Sequence, residues 1–254
     1  MNAIYWCEFP EECDWAKLAS WVGKQRIIVY VACTSLKHYK SICKLVKKYS
    51  SQIYIYAWPV LSKAEGYWFS GFTSRKCIDS LEKYRGISIK LDLEPPFPKY
   101  FTFWSGMKWL FQSFLRPASN AAYLQEKISS LSRNTPLIVS TFPLPLFMLR
   151  KWGWITRKNI QHNFMYYRTL VPPWLQWSYN RYYLWFIHRH PGSYFAVGLV
   201  SPGIFGNEPV YTHLSELERD IKFLKKHGVT NFAFFELSGM VKRRKEWFDA
   251  TRNL

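Results

Sequence analysis

The stretch Gly86–Pro96, GISIKLDLEPP, alternates polar and apolar side chains almost without a break. Successive side chains of a β-strand point to opposite faces, so this pattern predicts a strand over Ile87–Glu94 with two unlike faces. One face is aliphatic, and the other carries Ser88, Lys90, Asp92 and Glu94. The aliphatic face has to be covered by helices, which would turn the polar face toward the inside of the fold.

The same rhythm of short apolar strands and amphipathic helices continues on both sides of this stretch. Eight strands are predicted, over Ile4–Phe9, Ile27–Ala32, Ile53–Trp58, Ile87–Glu94, Leu137–Phe142, Asn163–Tyr167, Tyr194–Val200 and Asn231–Leu237. Eight strands that alternate with helices in a chain of 254 residues favour an α/β fold, a single (β/α)8 or TIM barrel over residues 1–254. An open doubly wound sheet is the alternative, but no GxGxxG follows the first strand.

Two aromatic-rich insertions, Pro95–Ala118 and Arg168–Pro191, follow the fourth and sixth strands. In a barrel both would rise from the C-terminal face, where active sites of this fold lie. Three roles are open for them: a lid on the barrel, contact with a membrane surface, and stacking on single-stranded nucleic acid.

The formal net charge of +18 predicts attraction to anionic partners, which include nucleic acid, acidic lipid and phosphorylated or acidic sugars. The five cysteines form no CxxC pair, so neither a disulfide framework nor a zinc site is expected. No signal-peptide pattern is visible, because acidic residues stand where its apolar core should be. A cytoplasmic location is expected, with attachment to a membrane surface left open.

Carboxylates at strand ends are the best candidates for chemistry. Two close carboxyl groups in a low-dielectric barrel mouth do not both ionise freely, so one pKa should rise toward that of a general acid at neutral pH. Lys90 lies two residues before Asp92 on the same face of the predicted strand. Its ammonium would hold Asp92 ionised and leave Glu94 protonated. The alternative is a salt-bridged polar plug. Glu8 ends the first strand and Glu236 the last, so these two glutamates are expected to meet where a barrel closes.

Aromatic side chains are predicted to share this rim and to bind substrate. Tyr56 and Trp58 lie on one face of the third strand, and Tyr167 ends the sixth. Sugar rings stack on aromatic faces, and a tyrosine hydroxyl can hydrogen-bond a substrate. The six histidines show no HxH or HExxH spacing on a strand end, so no metal and no other cofactor is predicted.

The strand-4 motif resembles that of the glycoside hydrolases of family 18, the chitinase-like barrels, whose strand 4 carries DxxDxDxE and whose strand 6 carries MxYD. Asp92 and Glu94 match the final DxE, and Met165-Tyr166-Tyr167-Arg168 keeps Met and Tyr. Lysozyme-like barrels of family 25 also use a strand-4 DxE. The resemblance implies that Glu94 is the proton donor and that Asp92 and Tyr167 orient a substrate. Lys90 and Arg168 replace acids of that family, and Arg168 is expected to contact an anionic substrate.

Two hypotheses from different classes follow. The first is a glycosidase-like hydrolase that acts on a carbohydrate or glycoconjugate, with Glu94 and Asp92 as catalytic residues and Glu8, Tyr56, Trp58, Tyr167, Arg168 and Glu236 as substrate-binding residues. The second is a non-catalytic barrel that binds an anionic polymer, such as nucleic acid, or a membrane surface through its basic aromatic face.

Overall fold

The computed structural model describes residues 2–96 and 102–252. Eight parallel strands close into a barrel in chain order, which confirms the (β/α)8 fold. The strands are β1 (Asn2–Cys7), β2 (Ile27–Cys33), β3 (Ile53–Pro59), β4 (Ile89–Asp92), β5 (Leu137–Thr141), β6 (Ile160–Tyr166), β7 (Tyr194–Val197) and β8 (Asn231–Phe235). β1 closes the barrel, because Ile4 pairs with Ile28 of β2 on one side and with Ala233 of β8 on the other.

The described helices lie between and after these strands. They are α1 (Trp15–Val22), α2 (Leu36–Lys47), α3 (Arg75–Asp79), α4 (Phe103–Leu115), α5 (Ala121–Leu131), α6 (Leu146–Lys151), α7 (Gln176–Arg189), α8 (Leu214–Lys226), α9 (Leu237–Lys242) and α10 (Lys245–Arg252). Asp14 caps α1 by accepting a hydrogen bond from the backbone N–H of Lys17 at 2.9 Å. Among the described helices, none has the length and apolar character needed to cross a membrane.

Two hydrophobic layers lie on the two sides of the barrel wall. β4 shows how the sequence divides its side chains between them: Ile89, Leu91 and Leu93 join the outer layer under the helices, as predicted. The inner layer fills the barrel with side chains such as Trp6, Tyr30, Trp58, Ile138, Met165 and Phe235. Lys90 and Asp92 enter this interior between the aromatic rings of its upper half.

Several element boundaries differ from those expected. β4 ends at Asp92, and Leu93 pairs with Phe69 only through an isolated bridge, since two prolines follow Glu94 and offer no N–H to continue the ladder. The helical segment between β3 and β4 divides into α3 and a 3-10 turn, Ser80–Tyr84. After β8 the chain forms two helices, α9 and α10.

Side chains accept backbone hydrogen bonds at the N-termini of α3 and α8. Ser74 caps α3, and the neighbouring Thr73 hydroxyl accepts from the backbone N–H of Ser70. At the start of α8, Glu216 accepts from the backbone N–H of His213 at 3.0 Å.

The two faces of strand β8 pack in different hydrophobic layers. Phe232 and Phe234 pack in the outer layer, whereas Ala233 and Phe235 point into the barrel. Both faces of this strand are apolar, so alternation alone does not tell which one faces inward.

Both insertions rise beside the barrel mouth. The insertion expected over Pro95–Ala118 contains α4, and its residues 97–101 lie outside the described residues. The insertion over Arg168–Pro191 contains α7, preceded by two short 3-10 turns, Arg168–Leu170 and Pro173–Leu175.

Candidate functional site

A cavity of about 70 Å³ lies at the C-terminal end of the barrel. Its walls come from the ends of six strands and from the loops after β3 and β7, and they include Glu8, Trp58, Trp68, Lys90, Asp92, Glu94, Phe142, Tyr167, Gly203, Glu208 and Phe235. This is the end of the barrel where the sequence placed a site. The volume is enough for several water molecules or for the reacting end of a larger ligand.

A buried ion pair forms the floor of this cavity. Lys90 Nζ lies 2.8 Å from Asp92 Oδ2, and neither side chain is more than 3% exposed. The same ammonium lies 3.4 Å from the ring centroid of Trp58 and 3.8 Å from that of Trp6. Burial lowers the pKa of Lys90 and raises that of Asp92, and the contact between the two groups opposes both shifts. Two indole faces further favour the cation, so we assign an ammonium–carboxylate pair.

Glu94 stands above this pair and is buried against the cavity. Burial raises its pKa well above the ordinary value, and the nearby Asp92 carboxylate adds to the shift. Lys90 acts in the opposite direction, but it is already paired with Asp92. Burial and the Asp92 charge therefore both favour the protonated form of the Glu94 carboxyl.

Glu8 is a third carboxyl group of the cavity with a raised pKa. Burial, followed by repulsion from Glu236, raises the pKa of Glu8 to about 8, while a hydrogen bond with the Tyr67 hydroxyl opposes the shift. Its Oε2 has no hydrogen-bond partner among the described residues. Because Glu8 follows β1 and Glu94 follows β4, the two groups enter the cavity from strands three places apart in the barrel.

Glu208 is a fourth carboxyl group of the cavity, and the sequence analysis did not predict it. It lies in the irregular loop between β7 and α8 and accepts a hydrogen bond from the backbone N–H of Phe205 at 3.3 Å. Gly203 explains how the loop comes so close to Glu8: a Cβ on this glycine would lie 2.8 Å from Glu8 Oε2 and 3.0 Å from Glu208 Oε1. No strand periodicity extends into such a loop, so the only available signal was an acid close to Gly203 and Gly206.

Glu236 meets Glu8, as expected, but through the backbone. Its Oε1 accepts from the backbone N–H groups of Glu8 at 3.1 Å and Ser238 at 3.0 Å. Its Oε2 accepts from the Gly239 N–H and from the hydroxyls of Ser238 and Ser201. The carboxylate thus caps α9 and ties the barrel closure to it, and it is not among the residues that line the cavity.

Three aromatic residues were predicted to bind substrate. Trp58 and Tyr167 line the cavity, and Tyr167 stacks on Phe235 with a centroid distance of 5.8 Å. Burial raises the pKa of Tyr167 well above its usual value, so its hydroxyl is a neutral hydrogen-bond donor. Tyr56 instead packs edge-on against Tyr30 inside the barrel, with ring centroids 5.4 Å apart, and does not line the cavity.

Arg168 points away from the cavity. Its Nε lies 2.6 Å from Asp220 Oδ1 of α8, and its Nη1 donates to Gln176 Oε1 of α7 at 2.6 Å. Tyr211 donates to the other oxygen of Asp220 at 2.7 Å. Arg168 therefore joins the segment after β6 to α7 and α8, which accounts for its burial without a ligand.

A second, larger and almost entirely apolar groove opens beside the acidic cavity. Its volume is about 500 Å³, and it runs between α4 and α7. Phe142, Tyr167 and Leu170 line both spaces. A ligand that occupied the groove would therefore reach the edge of the acidic cavity.

Comparison with known proteins gives no assignment. No family model and no curated protein matches the chain. Among solved structures, an alcohol dehydrogenase from the archaeon Thermococcus sibiricus, complexed with 5-hydroxy-NADP, aligns over 96% of this chain and 99% of its own at 10% identity. Its TM-score of 0.29 is too low for this likeness to support any conclusion.

The resemblance to family 18 glycoside hydrolases is therefore wrong as an assignment. No family model matches the chain, so no comparison supports membership of that family. Both departures from the motif have structural roles here, because Lys90 pairs with Asp92 and Arg168 pairs with Asp220. Any hydrolytic role has to rest on the cavity itself.

The described side chains offer no metal site, because no group of three or more His, Cys, Asp or Glu among them is arranged to hold an ion. The cavity does contain two glutamates with raised pKa values, Glu94 and Glu8, a further acid, Glu208, and the buried pair of Lys90 and Asp92. Groups of this kind carry out acid–base chemistry on a neutral, polar substrate.

Proposed function

We propose that the protein is a glycosidase-like hydrolase that cleaves a carbohydrate or glycoconjugate at the cavity in the barrel mouth. The observation that carries the proposal is the buried Glu94 carboxyl, which lines this cavity and whose pKa is raised well above its ordinary value by burial and by the Asp92 charge. A carboxylic acid kept protonated at neutral pH is what the departure of an alcohol from a glycosidic bond requires.

In the proposed reaction Glu94 donates its proton to the glycosidic oxygen as the bond to the anomeric carbon breaks. Water then adds to that carbon, and we assign Glu208, which lines the same cavity, as the base that takes the proton from this water. The products are an alcohol and a free sugar, and a proton returns to Glu94 through solvent. Oxocarbenium character at the anomeric carbon is favoured by the nearby Asp92 carboxylate.

The remaining groups position the substrate. Lys90 holds Asp92 in a single orientation through their 2.8 Å contact. Trp58 and Tyr167 offer ring faces and a hydroxyl to a sugar, and Glu8 offers a protonated carboxyl that can donate a hydrogen bond to a sugar hydroxyl.

The test compares hydrolysis of a panel of aryl glycosides by the wild type and by Glu94→Gln. Because the amide cannot release a proton, turnover of the substrate that the wild type accepts should fall by about 10²–10⁴-fold. Glu126→Gln, which changes an exposed acid outside the cavity, is the matched control and should leave turnover unchanged. Equal turnover in wild type and Glu94→Gln would overturn the proposal.

A further inference from the structure

The helices around the barrel mouth expose large apolar side chains to an unusual degree. Thirteen large hydrophobic residues are exposed in the described part of the chain, and only Leu45 and Tyr49 lie outside this region. The others belong to α4, to α6, and to α7 with the turn before it: Trp104, Met107, Phe111, Phe114, Leu115, Leu146, Phe147, Trp174, Trp177, Tyr182 and Trp185. We call these eleven side chains the mouth aromatic face. Monomeric proteins seldom leave so large an apolar area uncovered without a binding role.

The mouth aromatic face is continuous across the three helices. Phe114 of α4 contacts Phe147 of α6, with ring centroids 5.6 Å apart. The Tyr182 hydroxyl of α7 donates to the carbonyl of Pro143, just before α6, at 2.8 Å. α4 and α7 line the two sides of the 500 Å³ apolar groove. One surface therefore surrounds the opening of one groove.

The charges on this surface all have the same sign. α4, α6 and α7 contain no aspartate or glutamate, and their charged side chains are Lys108, Arg150, Lys151, Arg181 and Arg189. Arg181 lies 5.2 Å from the ring of Trp177, and Arg189 lies 4.3 Å from that of Trp185. Guanidinium groups are thus held beside exposed indoles.

We propose that the mouth aromatic face docks on the surface of an anionic phospholipid bilayer and that the groove takes up a hydrocarbon chain from it. Tryptophan and tyrosine are favoured at the headgroup level, where an indole is partly apolar and partly hydrated. Lysine and arginine beside them attract acidic headgroups. The groove, about 500 Å³ and lined by Phe103, Met107, Leu110, Leu144, Val171 and Leu175, offers almost no polar group to any other kind of ligand.

Two other occupants fit the surface less well. A nucleic-acid surface needs a dense row of phosphate contacts, but the exposed side chains here are mainly Trp, Phe, Leu and Met with five cations among them. A second copy of the chain would bring its own cations against these cations, because a two-fold interface places the same surface on both sides.

This docking also narrows the substrate class, an extension that rests on the proposed function. The groove and the acidic cavity share Phe142, Tyr167 and Leu170, so a chain in the groove would bring its headgroup to Glu94. The substrate class would be an amphiphile, a glycoconjugate with an apolar chain. Binding to vesicles and hydrolysis of glycosides are separate measurements, so one can fail while the other succeeds.

Flotation of the full chain with vesicles tests the docking. The wild type should float with phosphatidylcholine vesicles that contain phosphatidylglycerol, and less with phosphatidylcholine alone, and salt should weaken the difference. Trp104→Ser combined with Phe111→Ser should lower the partition constant by about a hundredfold, because two aromatic side chains that would insert into the lipid are removed. These side chains are 73% and 63% exposed, so the variant should fold normally.

The matched control combines Leu45→Ser with Tyr49→Ser, which removes the two exposed hydrophobic residues outside the face and should leave partition unchanged. A wild type that does not float with acidic vesicles would overturn the proposal, as would equal loss in both double variants. Two further results would overturn it if the wild type does not bind vesicles. One is a wild-type dimer that Trp104→Ser with Phe111→Ser dissociates. The other is binding of poly-uridine that the same two substitutions abolish.

Discussion

The sequence predicted the position of Lys90 inside the barrel, but not its contacts with two indole rings. Alternation along the fourth strand put it inside the barrel beside Asp92, and the structure has it there, 2.8 Å from that carboxylate. The two indoles that enclose its ammonium come from β1 and β3, which lie far from it in sequence, so only the closed barrel brings them together.

Removal of Lys90 should destabilise the protein more than removal of the whole pair. Lys90→Met leaves Asp92 buried without its cation, which should cost about 3–5 kcal/mol in the free energy of unfolding. Lys90→Met combined with Asp92→Leu should recover much of this loss, since no uncompensated charge remains. Urea denaturation of the three proteins measures the difference, and a cost below about 1 kcal/mol for Lys90→Met would contradict the buried pair.

The raised pKa of Glu8 makes the stability of the folded protein depend on pH. The unfolded carboxyl loses its proton near its ordinary value of 4.5, whereas the folded one keeps it to about 8, so the folded state binds one more proton between these values. Stability should therefore fall as pH rises through this window, by about 1.4 kcal/mol per pH unit for this group. Glu94, whose pKa is also raised, acts in the same direction.

Glu8→Gln removes that titration while it keeps a neutral, hydrogen-bonding side chain. Urea midpoints measured between pH 5 and pH 8 should fall less steeply in this variant than in the wild type, by about the slope of one group. Glu126→Gln provides the comparison and should keep the wild-type slope. An unchanged slope in Glu8→Gln would mean that the Glu8 carboxyl is ionised in the folded protein.

At the scale of single elements, the segment after β6 is held by charge. Arg168 and Asp220 join it to α8, and their side chains are at most 9% exposed. We expect Arg168→Met to cost about 3–5 kcal/mol of stability, because Asp220 stays buried with the Tyr211 hydroxyl but no cation. Hydrolysis per folded molecule should change little, since Arg168 does not line the cavity.

The check combines denaturation with turnover at a temperature where the variant is folded. Arg168→Met with Asp220→Leu should be more stable than Arg168→Met alone. If turnover falls in Arg168→Met while stability holds, the residue contacts substrate, as the sequence led us to expect.

Elements differ in how much of their geometry their own residues reveal. β4 has one polar and one apolar face, so alternation correctly predicted which side chains enter the barrel. β8 is apolar on both faces, so alternation does not decide which one faces inward. Glu236 lies just after the end of β8, where it caps α9, and Glu208 lies in an irregular loop; neither position follows a strand period.

At the scale of the whole molecule, core and surface aromatics have separate roles. Trp104 and Phe111 stand largely in solvent, whereas Trp152 is 1% exposed in the outer layer and contacts Trp109. Trp104→Ser with Phe111→Ser should therefore change the free energy of unfolding by less than about 0.5 kcal/mol. Trp152→Ser should cost about 3–5 kcal/mol, as large-to-small changes in a packed core do.

Thermal and urea unfolding of the two variants provide the measurement. A large loss of stability in Trp104→Ser with Phe111→Ser would show that these side chains are covered within the protein, and the mouth aromatic face would then not be free to bind lipid.

The whole fold was open to prediction because eight short apolar strands and the helices between them repeat one pattern, and only a few topologies accept it. Only part of the candidate site could be predicted from the sequence. Glu8, Trp58, Asp92, Glu94 and Tyr167 follow or end strands and reach the cavity, whereas Gly203 and the apolar groove depend on how loops and helices pack.

A leaving-group series tests most directly whether Glu94 is the proton donor. Glu94→Ala and the wild type are compared on glycosides of one accepted sugar, with aglycones from an alkyl alcohol to dinitrophenol. We expect the turnover of Glu94→Ala to be lower than that of the wild type by about 10²–10⁴-fold for alkyl glycosides and to be little changed for dinitrophenyl glycosides, whose leaving group needs no proton. A uniform loss across the series, or no hydrolysis of any glycoside by the wild type, would contradict it.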